Sequence, residues 1–171
     1  TIAAVAIVSV ALFGSAFADG HAKTLKIETH FTASSPNGEV AAQFAKNVEM
    51  FSGGSLKVQM FYSSSVTGKS AEVFNSAQTG IIDCDMTGAG YQTGKNAAFQ
   101  FAGDVMGGYD NPYQQYDFLK FPGAQDAVDA LYNKYGMTLI GWWIPGHESL
   151  ISSKPIPDVA SIKDFKFRSP P

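Results

Sequence analysis

The chain has 171 residues, enough for one ordinary domain or for one domain and part of a second. A hydrophobic fraction of 45% supports a packed core, and a charged fraction of 16% is low without resembling a disordered chain. A net charge of −3 with no basic run excludes recognition of nucleic-acid phosphates, and the single cysteine, Cys84, excludes an intrachain disulfide or a thiolate zinc cage.

The chain opens at Thr1 with an apolar run to Phe13, and its first charge is Asp19. Ala16-Phe17-Ala18 places small residues where signal peptidase requires them. Residues 1–18 therefore read as an export signal whose basic n-region is missing from this copy. The run is too short to span a bilayer, which needs about 20 apolar residues. The mature part, 19–171, is expected outside the cytoplasm and free of membrane spans.

Thr24 to Phe31 alternates as a first strand. Ser35 then caps a helix with Pro36 at its first position, where a missing N–H costs nothing. Val40, Phe44, Val48 and Phe51 form its expected apolar stripe, and Gly53-Gly54 ends it. Leu56, Val58 and Met60 alternate in a second strand. A second helix fits Lys69 to Thr79, with Val73, Phe74 and Ala77 inward, and Ile81 to Thr87 reads as a third strand containing a buried Cys84. Gly107-Gly108, Asn111-Pro112 and Pro122-Gly123 mark breaks. Helices fit Tyr113 to Lys120 and Ala124 to Tyr135. Met137 to Ile144 reads as a buried strand, Ser149 to Ser153 and Phe165 to Arg168 as further strands, with a short helix near Val159 to Lys163. Alternating strands and helices predict an α/β fold with a largely parallel sheet.

Catalytic motifs fail on inspection. Gly68-Lys69-Ser70 resembles the end of a phosphate loop, but Ser63 stands where its first glycine belongs. In Gly88 to Gly94 the last glycine falls one residue late for a dinucleotide fingerprint, and Tyr91 would obstruct the pyrophosphate; a flexible turn is the simpler reading. His147-Glu148 lacks the second histidine of a metalloprotease helix, since position 151 is Ile151. No nucleophile elbow occurs. The chain is not read as an enzyme.

The strand ends carry more. His30-Phe31, Gly90-Tyr91 and Pro145-Gly146-His147-Glu148 each follow a predicted strand, and such loops meet in one crevice of an open α/β sheet. Aromatic rings, an imidazole and a carboxylate around a shared cleft suit a small molecule. Arg168 ends the last predicted strand, with a planar fork that can grip a ligand carboxylate through two parallel hydrogen bonds, or neutralise a structural one.

Three segments together resemble the solute-binding subunit of tripartite ATP-independent periplasmic (TRAP) transporters, the DctP family. They are Ser52 to Val58, Ala77 to Asp83, and Ser152 to Ile156 followed by Ser161 to Arg168. The resemblance covers Thr24 to Pro171. It implies a periplasmic-binding-protein-like clam-shell, of which this chain supplies mainly the first lobe, truncated at the crossover to the second. It implies capture of a small organic acid in the periplasm and delivery to TRAP membrane permease subunits. It places the family's carboxylate-gripping arginine at Arg168, with Tyr91, His30, Phe31, His147 and Glu148 as the other ligand-binding candidates. No cofactor is required, although a cation bridging to the ligand would fall to Glu148. Asp164 stands where the family usually has glycine, and Glu148 where the sialic-acid branch has a second arginine, so sialic acid is not the expected ligand. The segment Gly90 to Lys95 instead resembles the branch that binds 2-oxo acids with a metal ion. A ligand-binding module for a sensor, a binding protein served by an ATP-driven permease, or an extracytoplasmic hydrolase using His147 and Glu148 are the alternatives.

Overall fold

The computed structural model describes residues 22–103, 105, 107–144, 146 and 149–168. The expected export signal lies outside the described residues, as do His147 and Glu148.

Three parallel strands form the sheet, β1 (Lys23–Thr29), β2 (Leu56–Phe61) and β3 (Cys84–Met86), in the order β2-β1-β3. β1 runs from Lys23 opposite Leu56 to Glu28 opposite Phe61, and on its other edge Ile27 to Thr29 face Cys84 to Met86. All three strands therefore end on the same side. The chain leaves β1 in one direction to build β2, then crosses over β1 to build β3. In open sheets of this kind the crevice opens where the strand order reverses, here between the ends of β1 and β3.

Helix α1 (Pro36–Phe51) begins as its sequence dictates. Ser35 Oγ accepts from the Gly38 N–H at 3.1 Å and donates to the Thr32 carbonyl at 2.7 Å. Its buried face is not the expected stripe: Val40 and Phe51 are exposed, Phe44 and Val48 are half-buried, and Gly38 and Ala41 are the enclosed positions. The physical reason is close approach. A Cβ on Gly38 would run into the Thr32 carbonyl oxygen. Gly38→Ala should therefore lower stability by about 1–3 kcal/mol, the cost of overpacking, seen as a lower urea midpoint. Beyond α1, Gly53 (φ 61°) and Gly54 (φ 81°) occupy the left-handed region as expected.

The second predicted helix is a 3₁₀ turn, Ser70–Glu72, continued by α2 (Val73–Gln78). Val73 and Phe74 are buried as expected, whereas the third enclosed residue is Ser76 and Ala77 is half-buried. The third strand is shorter than predicted, and Cys84 is half-buried in it. Gly88 to Gly94 is not a loose turn, because Ala89–Gln92 winds into a 3₁₀ helix. A second such helix, Ala97–Ala102, is capped by Asn96.

Helix α3 (Pro112–Lys120) starts from Asn111, whose side chain accepts from the Tyr113 and Gln114 N–H groups. Helix α4 (Pro122–Asn133) follows at once, so Pro122-Gly123 opens a helix instead of only breaking one. The main apolar cluster joins Phe74, Ala89, Phe99 and Leu131, with Tyr132, Tyr135 and Met137 packed against it. Phe99 meets Tyr132 edge-on at 5.2 Å and 87°, and Phe74 at 5.8 Å and 77°, the favoured aromatic geometry.

After α4 the chain departs from expectation. Met137 to Ile144, Ser149 to Ser153 and Phe165 to Arg168 are irregular rather than strands, and only the 3₁₀ turn Ala160–Ile162 interrupts them. A strand exists through its partner, and these segments have no ladder partner among the described residues.

Candidate ligand-binding site

Three of the predicted residues come together at the switch point. His30 and Phe31 follow β1, with ring centroids 4.0 Å apart, and the His30 ring meets Tyr91, beyond β3, edge-on at 5.3 Å. All three are half-buried. Trp143 joins them through Phe31 at 6.3 Å. Sequence reasoning placed Trp143 inside a strand and so missed it; its position two residues before the Pro145 loop was the available signal.

The loop after β2 closes the floor beneath this cluster. Ser63 and Ser64 adopt left-handed backbone (φ 56° and 51°), and their N–H groups donate to the carbonyls of Phe31 and Thr29 at 2.9 and 3.1 Å. Glu28, fully buried in the central strand, accepts from the Val66 N–H at 2.6 Å and the Thr67 N–H at 3.4 Å. Its register partner on β3 is Asp85. Burial pushes the Asp85 carboxyl up to about 6; the Thr87 hydroxyl and N–H offset part of that rise, and the charge of Glu28 adds to it. Tyr132, facing Asp85 from α4, is also pushed up, by burial first and the Asp85 charge second. The Cys84 thiol is raised by burial and then by Asp83 and Asp85, which makes it a poor nucleophile.

Arg168 stands apart from the aromatic cluster. It is exposed and lines an open cavity of about 360 Å³ between residues 149–153 and Phe165–Arg168. Among the described residues it makes no ion pair; Lys57 and Glu49, 3.7 Å apart, form the ion pair seen there. Phe165 and Phe167 stack at 5.8 Å on its approach. Asp164 has φ 66°, a left-handed conformation that an aspartate tolerates.

Among the described residues no group of three or more His, Cys, Asp or Glu is arranged to hold a metal ion, and no helix is long and apolar enough to cross a membrane. His30, Phe31, Tyr91 and Trp143 bring π faces, an imidazole and a phenol together beyond the ends of β1 and β3.

No curated protein is significantly similar to the chain. Solved structures are. A TRAP periplasmic solute-binding protein from Rhodobacter sphaeroides, in an apo open form, is 25% identical with a TM-score of 0.64, the match covering 69% of this chain and 37% of that one. One from Pseudoalteromonas atlantica, with bound sodium and pyruvate, is 19% identical with a TM-score of 0.62, covering 68% and 35%. One from Bordetella bronchiseptica, with calcium and picolinate, is 21% identical with a TM-score of 0.60, covering 66% and 33%. The last two establish likeness of fold. The chain thus spans little more than a third of the length of the proteins it resembles, and the likeness corresponds to the first lobe of their α/β architecture. Residues 27–171 match the bacterial extracellular solute-binding protein family 7, DctP, and the chain belongs to that family.

Proposed function

We propose that this chain forms the first lobe of a periplasmic solute-binding subunit that captures a small organic acid and hands it to TRAP membrane permease subunits. The observation that carries the reading is the convergence of His30, Phe31, Tyr91 and Trp143 beyond the ends of β1 and β3, in a chain of the DctP family. Ring faces on one wall leave the ligand's charge to be met from elsewhere, and Arg168 is the residue suited to that task. A second lobe would close over the cleft by the hinge motion usual in periplasmic binding proteins. His147 and Glu148 are proposed as further contacts to the ligand.

Pyruvate and picolinate in the similar structures support a short, planar carboxylate with an adjacent oxygen or nitrogen as the ligand class. Sodium and calcium in the same structures support a cation beside it. Hard cations take oxygen ligands, and Glu148 is the protein carboxylate assigned to that role. The export signal read at residues 1–18 agrees with a periplasmic site of action.

Thermal shift of the full-length protein against a panel of oxo, hydroxy and dicarboxylic acids tests the reading. At about a hundred times its Kd a ligand adds about 2.7 kcal/mol of stability, and one class of acid should raise Tm by several degrees. A chelator should reduce that rise if a divalent cation bridges, and omission of sodium should reduce it if sodium does. A Tm unmoved by every acid would refute the assignment.

A further inference from the structure

Glu28 and Asp85 are register partners on adjacent parallel strands, so their side chains leave the sheet on the same face. Glu28 is fully enclosed. Its Oε1 accepts from two backbone N–H groups, but its Oε2 is buried with no hydrogen-bond partner among the described residues, and so is Asp85 Oδ1. No lysine or arginine among the described residues pairs with either carboxylate. A fully enclosed carboxylate beside a half-buried one whose Oδ1 is shut off from water cannot stay charged cheaply with its neighbour charged too, and two acceptor oxygens cannot satisfy each other. A single proton resolves both difficulties at once, since it removes one charge and turns one acceptor into a donor.

We propose that Glu28 and Asp85 form a proton-binding site, holding one proton between them as an acid–carboxylate pair beneath the ligand cleft.

The surroundings agree. From α4 the pair faces Tyr132, the Thr87 hydroxyl and N–H act on Asp85, and from the loop after β2 Glu28 meets the N–H groups of Val66 and Thr67; Asp83 and exposed Lys26 lie two residues away along the chain, and Cys84, on the opposite face, feels the Asp85 charge. Asp83 is already engaged by the Lys26 N–H at 2.8 Å. The Asp85 carboxyl, pushed up to about 6, is the one that carries the proton, and it does so below about that pH. With the proton in place, the floor below His30 and Tyr91 presents one negative charge to an incoming anion instead of two.

A carboxyl raised in the folded state stabilises the fold fully below its unfolded value of about 3.9, and that contribution is lost as pH rises through about 6. The test is Tm of the full-length protein between about pH 4 and pH 8 for the parent, Asp85→Asn and Glu28→Gln. Either amide supplies a permanent donor to the remaining carboxylate. The parent should lose several degrees across that window beyond any loss in the variants, and at the alkaline end Asp85→Asn should be more stable than the parent. Infrared spectroscopy of the parent alone should show a protonated-carboxyl band near pH 5, above the range of ordinary carboxyls, so that a variant that misfolds does not remove the test. Parent and variant slopes that coincide, with no such band, would overturn the proposal. So would a parent Tm raised at the alkaline end by sodium or calcium chloride and unmoved in Asp85→Asn, because the pair would then hold a metal ion.

Discussion

Replacing Arg168 with alanine in the full-length protein should weaken binding of the preferred organic acid by about 30- to 3,000-fold while leaving Tm in the absence of ligand unchanged. The first half follows from the cost of leaving a ligand carboxylate without its charged donor in a closed cleft, about 2–5 kcal/mol, at about 1.4 kcal/mol per tenfold change in affinity. The second half follows from the present setting of the side chain. Arg168 is exposed, lines an open cavity and makes no ion pair among the described residues, so its removal takes nothing from the fold. Arg168→Lys keeps the charge and loses the planar fork, and should fall between the two. Isothermal titration beside thermal unfolding reads both quantities. A variant that bound as tightly as the parent would remove Arg168 from the site, and one that lost stability and affinity together would make it a structural residue.

The largest effect on stability is expected at Phe74. This ring is fully buried, meets Phe99 edge-on at 5.8 Å and Tyr135 at 6.0 Å and 78°, and so ties α2 to the Ala97–Ala102 turn and to the end of α4. Gln78 reinforces the same junction by donating to the Tyr135 carbonyl at 2.7 Å. Phe74→Ala should cost about 3–5 kcal/mol, since the surrounding rings cannot collapse into the space without losing their own contacts. That is a large share of the 5–15 kcal/mol typical of a native fold. The exposed Phe51 supplies the contrast: Phe51→Ala should stay within about 0.5 kcal/mol. Urea unfolding of the two variants decides the matter, and equal losses would mean that the aromatic cluster is not the core.

The half of the chain through β3 could be read from its sequence because local chemistry decides it. Ser35-Pro36 starts a helix whatever surrounds it, Gly53-Gly54 ends one, and Leu56, Val58 and Met60 alternate as a half-covered strand must. The stretch after α4 could not be read in this way. Met137 to Ile144 has the residues of a buried strand, but strand formation depends on a neighbour elsewhere in the chain, and no spacing within eight residues reports whether that neighbour is there.

The site divides along the same line. His30, Phe31 and Tyr91 could be placed near one another because parallel strands bring their carboxyl ends together, which is a consequence of topology alone. Trp143 was hidden by its apparent place in a strand. Glu28 was hidden by alternation: it sits between Ile27 and Thr29, two residues from exposed Lys26, and polar residues at that period ordinarily face solvent. It is instead enclosed by the loop after β2, whose N–H groups it accepts, a contact between residues far apart in sequence.

A structure of the full-length protein with its bound acid puts the whole proposal to the test. The expected result is a carboxylate held by two parallel hydrogen bonds from Arg168, its flat face against the rings of His30, Phe31, Tyr91 and Trp143. An acid bound elsewhere, or an Arg168 turned to solvent or locked onto a carboxylate of the protein with no room left for solute, would contradict it.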